Sequence, residues 1–385
     1  MQLTVGELMD RARADTGLDD FGEPSFRAGL QRLVDSIDRH SELTDIGLAA
    51  TEAHFVSLLA SRLQIEDWYR RHPEIDDEII RSPVFIVGLP RTGTTALGNM
   101  LGLDAGTRSL RGWEALAPCP PPDICMRDDP RIDAYTRYIA FVRAQAPSIA
   151  DAIPLNADAP EEDYTVLDLA FACFGMNGRY HVPDYEDWAL AEDNPEVDAA
   201  YRYHRRVLKL LQWKTPAARW SLRTPLHSAC MRPLLKAYPD ARFIWTHREP
   251  AKVIPSICSL IDLTRKIYMV DSYPAALGER QLEQWAVSME RLLRDRSAIG
   301  DDRFFDIYHR DLIADPQHCL RRLYAWLGWE FSADFSARLA AWQRAYPKGD
   351  HRPDAALFDL DAAAIERRFA AYSRRFFGVA QGGIR

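Results

Sequence analysis

Gly88-Leu89-Pro90-Arg91-Thr92-Gly93-Thr94-Thr95 gathers two glycines, three hydroxyls and one guanidinium within eight residues. Glycines let a backbone turn its N–H groups toward a compact anion, hydroxyls add donors, and a following helix contributes the positive end of its dipole. The segment nearly fits G-x-x-x-x-G-K-[ST], in which the lysine reaches the β- and γ-phosphates and the last hydroxyl binds magnesium. Thr94 stands at the lysine position, while Arg91, two residues before Gly93, brings charge from the other side of the glycine. Such a loop suits a compact anion better than a magnesium-bound triphosphate.

Three further groups could carry chemistry. Arg248 follows the apolar run Phe243-Ile244-Trp245, with Ser256 eight positions on; a basic residue just past a strand end is where open α/β sheets bind ligands, although a surface pair with Glu249 reads equally well in isolation. Arg223 and His227, four residues apart in Ser221-Leu222-Arg223-Thr224-Pro225-Leu226-His227, offer a cation and an imidazole that titrates near neutrality, and a lone histidine is also a common packing residue. Glu161-Glu162-Asp163 after Pro160 offers a carboxylate base, with Glu162 as the first candidate, or else the acidic first turn of a helix.

These groups need a scaffold. Pro83 to Gly88 is a short apolar, β-branched run suited to a strand buried on both faces, and Thr94 to Leu101 suits the helix after it. Ala241 to Thr246 and Phe304 to Tyr308 read as further strands, the second followed by an amphipathic helix from Pro316 to Leu327. Helices alternating with short apolar strands predict an α/β fold with a P-loop-type parallel sheet flanked by helices. Residues 1–80 show helical periodicity around Phe26 and Phe55 and predict a helical N-terminal region packed on a core formed by 81–385. Pro118 to Pro122, four prolines in five residues, reads as an irregular surface connection. Leu167 to Met176 is apolar enough for a core helix or for the lining of an acceptor pocket.

Pro90-Arg91-Thr92-Gly93-Thr94-Thr95 matches, at every position, the P-[KR]-[ST]-G-T-[ST] motif of sulfotransferases that use 3′-phosphoadenosine-5′-phosphosulfate (PAPS). The chain resembles that family, in its bacterial branch with a helical N-terminal extension, from about residue 81 to about 352. The resemblance implies that the loop holds the 5′-phosphosulfate, with Arg91 in place of the usual lysine, and that Arg248 and Ser256 hold the 3′-phosphate. It aligns His309, beside Tyr308, with a tyrosine that contacts adenine, and Lys348-Gly349 with a late loop on the 3′-phosphate. By the same likeness Arg223 replaces a catalytic lysine and His227 is the first choice of base, Glu162 the alternative. No metal is implied. The expected reaction moves a sulfuryl group to a hydroxyl of a small apolar or aromatic acceptor, leaving adenosine 3′,5′-bisphosphate.

Composition narrows the alternatives. A net charge of −8 argues against a nucleic-acid binder, which draws affinity from phosphate neutralisation. Six cysteines without a CxxC pair signal neither a zinc site nor a disulfide framework, and the N-terminus lacks the pattern of a signal peptide, so a cytoplasmic protein with no membrane span is expected. Two rival readings remain at this level: a P-loop small-molecule kinase, disfavoured by Thr94, and a non-catalytic nucleotide-binding protein. Oligomeric state is not legible.

Overall fold

Five parallel strands form the sheet in a computed structural model that describes residues 3–125, 129–145, 156–216, 219–345 and 355–378. They are β1 (Val84–Gly88), β2 (Thr107–Arg108), β3 (Arg219–Arg223), β4 (Arg242–His247) and β5 (Phe304–Tyr308), in the order β2-β3-β1-β4-β5. β1 is central and buried at all five positions, as its unbroken apolar run requires. Phe85 and Val87 enter one hydrophobic core, while Val84 and Ile86 enter a second, shared with Leu97 and with Leu320 and Tyr324 of helix Pro316–Leu327.

β3 and β2 were not expected. Arg-Trp-Ser-Leu-Arg has only two apolar residues, so its extended form comes from pairing along β1, with Val84 opposite Ser221 and Ile86 opposite Arg223. The Pro118 to Pro122 segment is irregular as expected, yet Pro118, Cys119, Pro121 and Pro122 are buried rather than on the surface. All six cysteines are free, and only Cys125 is exposed. No described helix is long and apolar enough to cross a membrane.

The N-terminal helices α1 (Val5–Thr16), α2 (Phe26–His40) and α3 (Asp45–Arg71) place Phe26 and Phe55 in the same core as Phe85 and Phe171. Two glycines permit the docking. A Cβ on Gly29 would lie 1.9 Å from the Phe171 carbonyl oxygen, and one on Gly47 1.9 Å from that of Tyr268. Gly29→Ala and Gly47→Ala are therefore each expected to cost ~2–3 kcal/mol in urea unfolding, against the helix propensity that favours alanine. Gly6→Ala, with nothing within 4 Å of the added carbon, is the control, expected to be neutral or to stabilise by up to about 1 kcal/mol.

Candidate active site

β1 delivers the anion loop directly into helix α4 (Thr94–Leu101). Gly88 and Gly93 hold left-handed φ angles of 123° and 93°, and a Cβ at Gly88 would meet the Thr246 carbonyl oxygen at 2.6 Å. Arg91 also adopts positive φ, at 60°, an unfavourable setting for a residue with a side chain. It is held from two sides: Arg248 donates Nη1–H to the Arg91 carbonyl at 2.9 Å, and Arg91 Nε donates to Ser256 Oγ at 3.2 Å. The two anion motifs, far apart in sequence, thus touch. The three loop threonines do not act alike. Thr92 is buried, with its hydroxyl bonded to the Leu89 carbonyl and to Thr246 Oγ1, both at 2.6 Å, so it braces the loop from inside. Thr94 is also buried, and Thr95 keeps partial exposure at the start of α4.

On the far side of β4, His309 stands over the loop. A Cβ on Gly93 would come within 3.2 Å of His309 Cδ2 and 3.4 Å of Leu312 Cδ2, so the glycine keeps open the gap between them. Burial and the neighbouring Arg248 charge push the His309 ring down to about 4, leaving it neutral at pH 7 and suited to face a base rather than a phosphate. Tyr308 points elsewhere, its ring against His247 at 5.2 Å and Phe377 at 6.0 Å.

Arg223, at the end of β3, joins the loop to the acidic segment. Its Nη1 donates to Thr95 Oγ1 and to Glu162 Oε1, each at 3.2 Å, and its Nη2 donates to the Pro160 carbonyl at 2.8 Å. Gly98 makes room for it, since a Cβ there would lie 2.5 Å from Arg223 Cδ. Thr224 Oγ1 reaches the other Glu162 oxygen at 3.4 Å. The Glu162 side chain keeps 26% exposure at the groove, yet its depth pushes the carboxyl up to about 7, with Arg223 pulling the other way.

Asp163 takes the N-cap position of helix Tyr164–Asp168 at φ −80°, ψ 2°, but its side chain makes no capping bond. Just before it, Glu161 N–H bonds to the Leu110 carbonyl at 2.7 Å. The three acidic side chains then go to different partners. Glu161 accepts from Tyr135 Oη, Glu162 meets Arg223, and Asp163 turns inward with no capping bond.

Inside, Asp163 Oδ2 is 2.9 Å from His227 Nε2 and 3.0 Å from His204 Nε2. Tyr201 Oη lies 2.7 Å from His227 Nδ1 and Tyr238 Oη 2.7 Å from His204 Nδ1. Burial opposes charge on Asp163, but the two rings hold its carboxyl well below the ordinary range. Burial also lowers the His204 pKa. A proton arrangement consistent with these distances has each ring donating Nε2–H to the carboxylate and accepting a tyrosine hydroxyl at Nδ1. His227 is 0% exposed and both of its nitrogens are engaged, whereas the Glu162 side chain keeps 26% exposure.

Residues 83–333 match the sulfotransferase family. The chain belongs to that family. Its fold is similar to the crystal structures of sulfotransferase STF9 from Mycobacterium avium, with TM-score 0.86, 30% identity and coverage of 97% of this chain and 96% of that one. STF1 from Mycobacterium tuberculosis H37Rv gives TM-score 0.80 and 28% identity, covering 96% and 99%. In sequence the chain is 27% identical over 259 residues to the omega-hydroxy-beta-dihydromenaquinone-9 sulfotransferase Stf3 of Mycobacterium bovis. That match spans 64% of this chain and 62% of the relative's length.

Within this sulfotransferase fold, Pro90 to Thr95, Arg248, Ser256 and His309 come together around one loop, and Arg223 links them to Glu162. Lys348 and Gly349 lie outside the described residues. Sequence reasoning missed Tyr201, His204 and Tyr238. Tyr201 and His204 sit one turn apart on the buried face of helix Pro195–Gln212, where their spacing reads simply as core. Asp163 was visible only as part of the acidic run; the bonds of Glu161 N–H to the Leu110 carbonyl and of Asp163 N–H to the Arg223 carbonyl, which fix this segment against distant strands and loops, are announced by no local pattern.

Proposed function

We propose that the chain transfers a sulfuryl group from PAPS to a hydroxyl of a small acceptor by in-line displacement, with Glu162 taking the acceptor's proton. The observation that carries this is the Arg223 clasp, which ties Thr95 of the anion loop and Glu162 to one guanidinium. A cation and a base are thereby brought to one groove, as displacement at a tetrahedral, anionic centre requires. The residues fit the donor: Gly93 preserves a cradle beneath His309, Arg91 and the N-terminus of α4 offer charge and N–H donors to a 5′-phosphate, and Arg248 with Ser256 offers a second anion site. When bound, PAPS supplies the sulfuryl group and departs as adenosine 3′,5′-bisphosphate.

Each protein group then has a distinct task. Arg91 and Arg223 offset charge at the leaving phosphate, and as arginines they do so without donating a proton. Glu162, ionised, accepts the hydroxyl proton. His227 serves as a positioning residue: through Asp163 it anchors the backbone from which Glu162 projects. The acceptor class suggested by the relative Stf3 is an alcohol on an apolar body.

Calorimetric titration with adenosine 3′,5′-bisphosphate, ATP-Mg and adenosine 5′-phosphate tests the donor reading, alongside transfer of labelled sulfate to phenols and lipid alcohols. The bisphosphate should bind most tightly; preference for ATP-Mg would indicate a kinase, and tight binding without transfer a binding protein. Arg248→Ala should weaken the bisphosphate by ~10–100-fold and adenosine 5′-phosphate far less, as loss of a charge-assisted contact predicts. Equal losses for the two ligands would remove Arg248 from the 3′-phosphate.

A further inference from the structure

Beyond Glu162 lies a polar region that transfer to a plain hydroxyl leaves without a task. Arg179 follows the short 3-10 helix Phe174–Gly178 and keeps 19% side-chain exposure. Its ion-pair partner among the described residues is Asp168, only 1% exposed, whose Oδ2 stands 3.8 Å from Arg179 Nη1, too far for a strong hydrogen bond. The other Asp168 oxygen is sealed from water with no hydrogen-bond partner, and so is Nε2 of His54 on α3. Among the described residues Asp168, at 3.8 Å, is the only ion-pair partner of this guanidinium, whose donors form a planar fork.

This region continues into the site already described. Tyr164 lies close enough to both Arg179 and Glu162 to feel their charges. Tyr268 and His54 also feel Arg179. Under Tyr164 the chain is held to glycine: a Cβ on Gly175 would lie 2.7 Å from Leu226 Cδ1 and 3.6 Å from Tyr164 Cδ2. Burial pushes the Asp168 carboxyl up to about 7, against the pull of Arg179, so near neutral pH it supplies only part of a counter-charge. The result is a partly exposed cation, in reach of Tyr164 two residues on from Glu162, that its own carboxylate meets only at long range.

We infer that Arg179 receives an anionic group, such as a carboxylate, carried by the acceptor at the end remote from the hydroxyl that Glu162 deprotonates. The preferred acceptor is then a hydroxy acid with an aromatic or apolar body rather than a neutral alcohol. The inference rests on reading the Glu162 end as the site of sulfuryl transfer. An incoming carboxylate accepts two parallel N–H bonds from the guanidinium, the arrangement that best repays desolvation of both charges. It also gives α3, part of the N-terminal region, a share in the acceptor cleft through His54.

The test is calorimetry with para-coumarate and its neutral methyl ester, each titrated into the protein saturated with adenosine 3′,5′-bisphosphate. Wild type should bind the acid ~10–100-fold more tightly than the ester, in line with one charge-assisted pair. Arg179→Gln should abolish that preference. Asp168→Asn should tighten the acid and leave the ester unchanged, an effect of opposite sign that misfolding cannot produce. Equal affinities in wild type, binding of neither probe, or a preference that survives Arg179→Gln would each overturn the inference. Sulfate transfer is scored separately: the binding pattern without transfer keeps the anion site and sinks the sulfuryl reading, whereas transfer without the pattern does the reverse.

Discussion

Glu162→Gln should lower the rate of sulfate transfer by ~10²–10⁴-fold, the usual contribution of a positioned general base. Glutamine keeps an acceptor oxygen for Arg223 Nη1, so the clasp to Thr95 survives and affinity for adenosine 3′,5′-bisphosphate should stay unchanged or rise slightly. The pH profile carries the sharper signature. Burial is the main cause that pushes the Glu162 carboxyl up to about 7, Arg223 opposing it. A base works only when deprotonated, so the wild-type rate should climb with pH through about 7 and level off above it. In Glu162→Gln that limb should vanish. A variant with full rate and the same limb would remove Glu162 from proton transfer.

Asp163→Ala is the second large effect, expected as ~3–5 kcal/mol lost in urea unfolding, because it leaves uncompensated polar groups in a sealed interior. Asp163, His204 and His227 are each 0% exposed, and Oδ2 of Asp163 is the common partner of both rings. Removing it strands two ring N–H donors where water cannot replace the carboxylate. The same network predicts acid lability. Burial lowers the His204 pKa below its unfolded value, so the stability it contributes is present above about 6.5 and is lost as pH falls below that. The Asp163 carboxyl is also lowered in the fold, so its contribution persists above the unfolded carboxylate value of about 4 and drains away only below it. Stability measured from about pH 8 down to about pH 2 should therefore fall in two stages, the first below about 6.5 and the second below about 4. A loss below about 1 kcal/mol for Asp163→Ala, or a flat pH profile, would show that the network does not anchor the segment that carries Glu162.

Much of this protein is legible in its chain alone. The apolar run at Val84 to Gly88 and the glycines at 88 and 93 specify a buried parallel strand and a tight turn into a helix, because each is set by periodicity or local backbone freedom. The Pro316–Leu327 helix follows from its pattern for the same reason. What the chain could not announce is which side chains meet. Arg219–Arg223 becomes a strand only by pairing with β1, and that pairing carries Arg223 to Thr95. Glu162 and Asp163 are equivalent acids in sequence, yet the folded segment sends one to the partly exposed Arg223 pair and the other to two buried histidines. His227 matches a family position by spacing, but enclosure, which depends on Tyr201, Asp163 and Phe85 from three separate elements, takes both its nitrogens out of reach. Local rules specify elements and turns; burial and long-range contact decide which titratable groups stay accessible, and those exist only once the chain has folded.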